Sequence, residues 1–300
     1  MRAVQYTTYG EPDVLQWTDA PDPHAGPGQI RIAVRAASVN PIDWKVFSGM
    51  MAGGKPMDGI GYLGYDAAGV VDEVGDGVTG VSVGDDVFGR GRNTLAEYAV
   101  LDSWAAKPPS VDWAVAAAAG VAGETAERVL RLLDLKGGET VFVDGGAGGV
   151  GAVVVQMAVA RGVKVIASAG ADNLDYLREI DATPVRYGDG VAGRVRDAAG
   201  GSVDGVVDVV GKTPVEELIS LVPEPSRVVT IANFGAGQAG VQVTGGAADS
   251  RPAEALALVA GLLADNKIVI KVQTFPFERA AEAYRISKAG HVRGKLVLVP

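Results

Sequence analysis

The sequence predicts an α/β protein in which a doubly wound parallel sheet is joined to an antiparallel, barrel-like domain. Three observations point there. Over residues 1–106 short β-like runs are broken by Gly, Pro and Asp, and many short strands at close spacing mark antiparallel barrels and sandwiches. Beyond residue 113 strand-like and helix-like segments alternate, which implies a parallel sheet with crossover helices. Between 141 and 158 the chain reads "VFVDGGAGGVGAVVVQMA", a β-branched strand that passes through a knot of glycines into an apolar helix.

The elements follow in order. "RAVQYT", "QIRIAVRAASV", "AAGVVDEVG", "DDVFGRG" and "LAEYAVL" are the strands of the first domain. "KPPSVDW" then breaks regular structure, because paired prolines stop both ladders and helices. In the second domain "ETVFVDG" is a strand, followed by a helix over 150–161, a strand at "VKVIASA", a helix over 173–180 and strands at "TPVRYG" and "VDGVVDVVG". A helix near 214–221 and a strand at "RVVTIAN" complete the alternation. A last helix over 252–264, opened by Pro252 at the permitted first turn, and the closing run "GKLVLV" return to the first domain.

The glycine knot needs its context. Glycine accounts for 42 of 300 residues, so three glycines at a fixed spacing coincide by luck about once in such a chain. Here Gly146, Gly148 and Gly151 form G-x-G-x-x-G directly after a strand and directly before a helix. That placement is what a dinucleotide fingerprint requires: a tight turn, close backbone approach to a pyrophosphate, and tight packing over a helix N-terminus. Ala147, Gly149 and Val150 supply the intervening backbone. The competing reading is a glycine-rich turn with no ligand.

Composition narrows the function classes. A 48% hydrophobic, 21% charged chain has material for two domains. The net charge of -9 is spread along the chain with no basic tract, which argues against a nucleic acid partner. There is no Cys, so disulfides and thiolate metal sites are excluded. The start "MRAVQYTTYGEP" reads as a strand without an apolar signal core, and no apolar run of membrane length follows. The expected location is cytoplasmic, with no membrane partner.

With these pieces placed, the chain resembles the medium-chain dehydrogenase/reductase superfamily, in particular its zinc-free quinone and enone reductases. The resemblance runs over nearly the whole chain. It rests on "VNPIDWK" at 39–45, "GYDAAGVVDEVGDGVTGVSVGDDVFG" at 64–89, "AEY" at 96–98, the knot at 145–151 and "GHVRGKLVL" at 290–298. It implies a GroES-like antiparallel β-barrel catalytic domain over 1–113 and 250–300 around a Rossmann dinucleotide-binding domain over 114–249. The departures also inform. Zinc-dependent members place a Cys ligand near Ser38 to Asn40 and a His ligand where this chain reads Gly64-Tyr65-Asp66. His24 and His291 lie far from that framework and read as lone surface histidines, whereas catalytic zinc needs three converging protein ligands.

Cofactor choice is read at the end of the second strand of the Rossmann domain. An Asp or Glu about 20 residues past the fingerprint holds the ribose 2'-hydroxyl of NAD. Here Ser168, Ala169 and Gly170 occupy the position, which leaves room for a 2'-phosphate and favours NADPH over NAD. The Lys or Arg common just beyond in zinc-free relatives is replaced by Asp172-Asn173. Tyr187 matches a Tyr that in relatives lies against the adenosine phosphate, with Arg186 beside it.

For the reacting end, "SVNPIDWKVFSG" reads as a polar turn at the end of a strand. The resemblance sets Asn40 near the nicotinamide, where its amide can donate and accept at once. It sets Lys45 where an ammonium would stabilise the charge that builds on a carbonyl oxygen as hydride reaches an enone; a solvated surface lysine is the alternative. Asp43 reads as a structural cap. Tyr62 and Tyr65 stand near the missing His ligand, and Phe47, Met50, Met51 and Phe234 offer an apolar wall. Thr125 matches a Thr at the start of the linking helix, close to the nicotinamide, and residues Ile231, Ala232 and Phe234 would bring backbone groups to the carboxamide. The implied activity is NADPH-dependent reduction of a quinone or of the C=C bond of an α,β-unsaturated carbonyl. The alternative from another class is a non-catalytic, crystallin-like NADPH-binding protein. Relatives pair through the edge of the cofactor-domain sheet, and the alternating run "AGVQVTGG" at 239–246 implies a homodimer.

Overall fold

The structure, a computed structural model, describes residues 1–245, 249–290 and 292–300; His291 and Gly246 therefore lie outside the described residues. The chain divides into two compact units, one of Met1–Val121, Pro252–Ala264 and Ile270–Pro300, the other of Ala122–Arg251 and Asp265–Val269. The division falls inside the helix Trp113–Leu133 and not at its first residue, where the sequence reading put it. The helix keeps a glycine within "AAAAGVAG" because a Cβ on Gly120 would lie 2.7 Å from the Asp66 Cβ, so the bare backbone lets helix and strand close together.

The first unit is built on a six-stranded sheet in the order Val272–Pro276, Lys295–Val299, Ile30–Ser38, Asp66–Val74, Asp86–Arg92, Tyr98–Ala106. Tyr98–Ala106 also pairs antiparallel with Ile30–Ser38, which curls the sheet onto itself. Burial alternates over the first half of Ile30–Ser38, as one buried strand face demands. Inside lie Ile30, Ile32, Phe47, Leu101, Phe277 and Tyr284, all essentially inaccessible. Two helices here were not anticipated: Pro41–Phe47, in the segment read as a polar turn, and Ala280–Ala289.

The second unit holds six parallel strands in the order Thr183–Arg186, Lys164–Ala169, Thr140–Asp144, Gly205–Asp208, Val228–Thr230, Gln242–Val243. In chain order this is 3-2-1-4-5-6, the doubly wound Rossmann arrangement, with its switch point beside Thr140–Asp144. The central strands are buried almost throughout, because helices cover both faces of a parallel sheet. Helices Gly151–Ala160, Leu174–Glu179 and Val215–Ile219 fall where the alternation predicts them. Val191–Ala199 was missed: it lies between Gly190 and Gly200, both left-handed, and its run "GRVRD" is polar apart from the buried Val195. Among the described residues no helix is long and apolar enough to cross a membrane.

Candidate functional site

In the second unit the glycine knot closes the first strand. The three fingerprint glycines have different jobs. A Cβ on Gly151 would drive into the Gly145 carbonyl, and one on Gly146 would lie 2.6 Å from the Ala167 Cβ, so both are demanded by internal packing. A Cβ on Gly148 would meet nothing closer than the Gly145 oxygen at 3.6 Å. Gly148 therefore keeps a space empty that the fold itself does not need. The amides of Ala147, Gly149 and Val150 donate to no acceptor among the described residues, at the mouth of the helix Gly151–Ala160. Open amides and the positive helix end make an anion site.

Ser168 does not face that space. It is fully buried, its hydroxyl donates to the Asp144 carboxylate, and it accepts the Gly145 N–H at 2.9 Å. Its oxygen is spent holding the turn, so the expected contact from Ser168 to a cofactor phosphate is not available in this structure. Thr213 donates to the other Asp144 oxygen at 2.7 Å. Burial pushes the Asp144 carboxyl above the usual range, while the hydroxyls of Ser168 and Thr213 pull it down. At the end of the second strand, Gly170 and Tyr187 meet: a Cβ on Gly170 would sit 3.3 Å from the Tyr187 ring. Tyr187 is 52% exposed.

Past the fifth strand, the N–H of Ile231 donates to Asp208 and that of Ala232 to the Thr230 hydroxyl. Those amides are used up within the loop. The carbonyls of Ile231 and Ala232 accept nothing from the described residues, and they remain the polar groups this loop presents. Phe234 is 63% exposed. Thr125 is not at a helix start: it sits midway along Trp113–Leu133, buried, with its hydroxyl 3.4 Å from the Arg128 guanidinium. Arg128 itself pairs with Glu124 at 3.0 Å and donates to Thr244 at 2.6 Å.

In the first unit, Asn40 caps the helix Pro41–Phe47, and Asp43 in the first turn accepts the Asn40 N–H at 2.8 Å, half of a capping box. Asn40 is only 3% exposed, and both ends of its amide are committed. Its Nδ2 donates to Asp66 at 2.7 Å and its Oδ1 accepts from Lys295 at 2.6 Å. The amide expected to serve a ligand thus bridges a buried carboxylate and a buried ammonium. Asp66 also accepts the Val121 N–H at 2.8 Å. Burial pushes Asp66 up and Lys295 down, and each opposes the shift of the other. Burial likewise raises Asp43 to about 7, against the pull of the Asn40 N–H. Burial, and after it the neighbouring Asp43 carboxyl, pushes the Tyr284 hydroxyl up, and that hydroxyl reaches no hydrogen bond of normal geometry. Sequence reading missed Lys295, although a single charge inside "GKLVLV" was the signal for it.

Lys45 is half-buried on the same short helix, its ammonium 5.8 Å from the Trp44 ring centre, with no carboxylate partner among the described residues. Tyr62 pairs with Gln5 on a two-residue strand and lines a cavity of about 530 Å³ with Arg92 and Tyr98. Neither Asn40 nor Lys45 lines it. The apolar wall does not form as expected. Phe47 belongs to the core, ring to ring with Tyr284 at 5.2 Å, while Met50 and Met51 are exposed. His24 is on the surface beside Glu73. Among the described residues no group of three His, Cys, Asp or Glu could hold a metal ion.

Comparison with known proteins matches residues 26–130 to the alcohol dehydrogenase GroES-like domain and residues 169–298 to the family described as zinc-binding dehydrogenase. The chain is 30% identical to an Arabidopsis thaliana protein named NADPH-dependent alkenal/one oxidoreductase, over all of this chain and 80% of that one. It is 31% identical to a Pseudomonas aeruginosa quinone oxidoreductase, over all of this chain and 99% of the other. Among solved structures, a mycobacterial protein complexed with NADPH superposes with a TM-score of 0.86 at 29% identity, with full coverage of both chains. Two domain matches and full-length likeness, on a chain without cysteine, place it: the protein belongs to the zinc-free quinone and enone reductases of the medium-chain dehydrogenase/reductase family.

Proposed function

We propose that the chain is a zinc-independent, NADPH-dependent reductase of quinones or of the C=C bond of α,β-unsaturated carbonyls. The observation that carries the reading is the cradle at Gly148, an empty space bordered by open amides. Those groups suit a pyrophosphate, and Ser168, Ala169 and Gly170 put no carboxylate where a 2'-phosphate would be repelled. When bound, NADPH supplies the hydride. Gly146, Gly148 and Gly151 shape its pyrophosphate site, while Thr125 and the carbonyls of Ile231 and Ala232 serve the nicotinamide end. Asn40, fixed between Asp66 and Lys295, holds the start of the helix that carries Lys45. The Lys45 ammonium, with no carboxylate partner among the described residues, donates to the substrate oxygen as charge builds there. Tyr62 flanks the substrate, and water supplies the final proton.

Conjugated acceptors also fit the names of the relatives, one an alkenal/one oxidoreductase and one a quinone oxidoreductase. A homodimer and a cytoplasmic location complete the reading. The test is NADPH consumption, followed by near-ultraviolet absorbance, over a panel of enones and quinones. Turnover with at least one class is expected, and none with either would overturn the proposal. Lys45→Met should lower enone turnover roughly ten- to a thousandfold, the scale of one lost oxyanion donor, with NADPH affinity unchanged because the benefit exists only in the transition state. Quinones should suffer less, since their reduced anion is delocalised. Undiminished turnover with both would reduce Lys45 to a surface residue.

A further inference from the structure

We infer that Arg194 is a positioning residue for the adenosine end of the cofactor site and thereby sets the preference for NADPH over NADH. The inference rests on the cofactor reading above and on the loop that follows the strand Thr183–Arg186. That loop carries two left-handed glycines, Gly188 and Gly190, before the helix Val191–Ala199 begins. Glycines in this conformation leave a loop with little rigidity of its own. Arg194 supplies it. From the first turn of the helix the side chain folds back, and its guanidinium donates to three loop carbonyls: Nε to Arg186 at 2.9 Å, one terminal nitrogen to Asp189 at 2.9 Å, the other to Gly188 at 2.8 Å. The three acceptors flank Tyr187 on both sides.

Tyr187 is tied in turn to the second strand. Its N–H donates to the Ala169 carbonyl at 3.2 Å, and its ring covers Gly170 so closely that a Cβ there would lie 3.3 Å from a ring carbon and 3.6 Å from the hydroxyl oxygen. The end of the second strand is where dinucleotide folds read the ribose 2'-position, with an acidic side chain when the ligand is NAD. Here the tyrosine takes the room that such a side chain would need. A large, half-exposed ring on a glycine-rich loop gains nothing for the core. Held in place, it offers a flat face and a hydroxyl at the 2'-position.

Arginine is suited to this task and lysine is not. Three carbonyls spread over four residues need a planar fork of donors, whereas an ammonium is a point charge. Drawing those carbonyls onto the guanidinium turns three negative dipole ends toward a cation and holds the backbone on both sides of Tyr187.

The experiment measures the dissociation constants of NADPH and NADH, by titration of intrinsic fluorescence, for the wild-type protein, R194A, R194K, Y187A and the double variant R194A/Y187A. Thermal melts without cofactor accompany each. R194A and R194K should each weaken NADPH about tenfold, the cost of ordering a freed loop on binding, with NADH changed less than twofold and the melting temperature unmoved. Y187A should have a similar effect, and the double variant should be no worse than Y187A, because the two residues act through one contact. Equal losses for both cofactors, full restoration by lysine, or additive losses in the double variant would overturn the inference. A wild-type protein that binds NADH as tightly as NADPH would remove the cofactor reading and this inference with it; a discriminating wild type with an indifferent R194A would remove the inference alone.

Discussion

At the scale of single residues, the first unit holds a group whose burial has a measurable consequence. Asp43 has an ordinary carboxyl value in the unfolded chain and one of about 7 in the fold, with desolvation as the largest cause. Between those two values the folded protein keeps a proton that the unfolded chain has released. Stability from this group is therefore complete below the unfolded value and is lost as pH rises toward 7, at about 1.4 kcal/mol per pH unit for one proton. Asp43→Asn keeps an acceptor for the Asn40 N–H and removes the titration. Urea midpoints at pH 5 and pH 7.5 should differ less in the variant than in the wild type; an equal difference would show that Asp43 is ionised throughout. Asp66 is also raised by burial, so the variant should flatten the dependence without abolishing it.

At the scale of elements, the strand, the glycine turn and the helix that follows separate two kinds of glycine that a sequence pattern treats alike. Gly148→Val places its Cβ no nearer than 3.6 Å to the Gly145 oxygen, an ordinary contact, so the fold should survive while NADPH binding is lost. Gly151→Ala sets a methyl against the Gly145 carbonyl, an overpacking that costs on the order of 1–3 kcal/mol and should lower the melting temperature. The opposite pattern, a destabilised G148V and an unperturbed G151A, would reverse the assignment. Elements whose signal is local were legible: the central parallel strands carry apolar runs, as at 141–143 and 206–207, and Pro252 announces its helix. What was not legible depends on contacts distant in sequence. The start of the helix in "SVNPIDWKVFSG" is local, with Asn40 as cap, Pro41 in the first turn and Asp43 accepting the Asn40 N–H, but the Lys295 ammonium that takes up the Asn40 amide oxygen lies 255 residues away. Ser168 looked like a ligand contact until its hydroxyl was found bound to Asp144, 24 residues earlier. The resemblance alone puts Thr125 at a helix start, whereas it sits midway along Trp113–Leu133, a helix that keeps Gly120 as a packing requirement against Asp66.

At the scale of the whole molecule, the question is whether the chain acts alone. Among the described residues the strand Gln242–Val243 pairs only with Val228–Thr230 and forms the edge of the parallel sheet. An open edge presents unpaired N–H and C=O groups and needs cover. The N–H of Thr244 points inward, to the Thr230 carbonyl at 3.1 Å, so the alternation of the backbone turns the Val243 N–H outward. The position is anchored, since Arg128 holds the Thr244 hydroxyl at 2.6 Å. A second copy of the chain pairing along this edge would use that outward donor. Light scattering at micromolar concentration should return about twice the 30.7 kDa chain mass. Val243→Pro removes the outward donor and spares the inward ladder, a substitution that edge strands accept, and should shift the mass toward the monomer with the melting curve of the isolated chain retained. A wild-type mass at the monomer value would leave the edge open and the dimer reading wrong; a dimer that V243P does not weaken would move the contact to another surface.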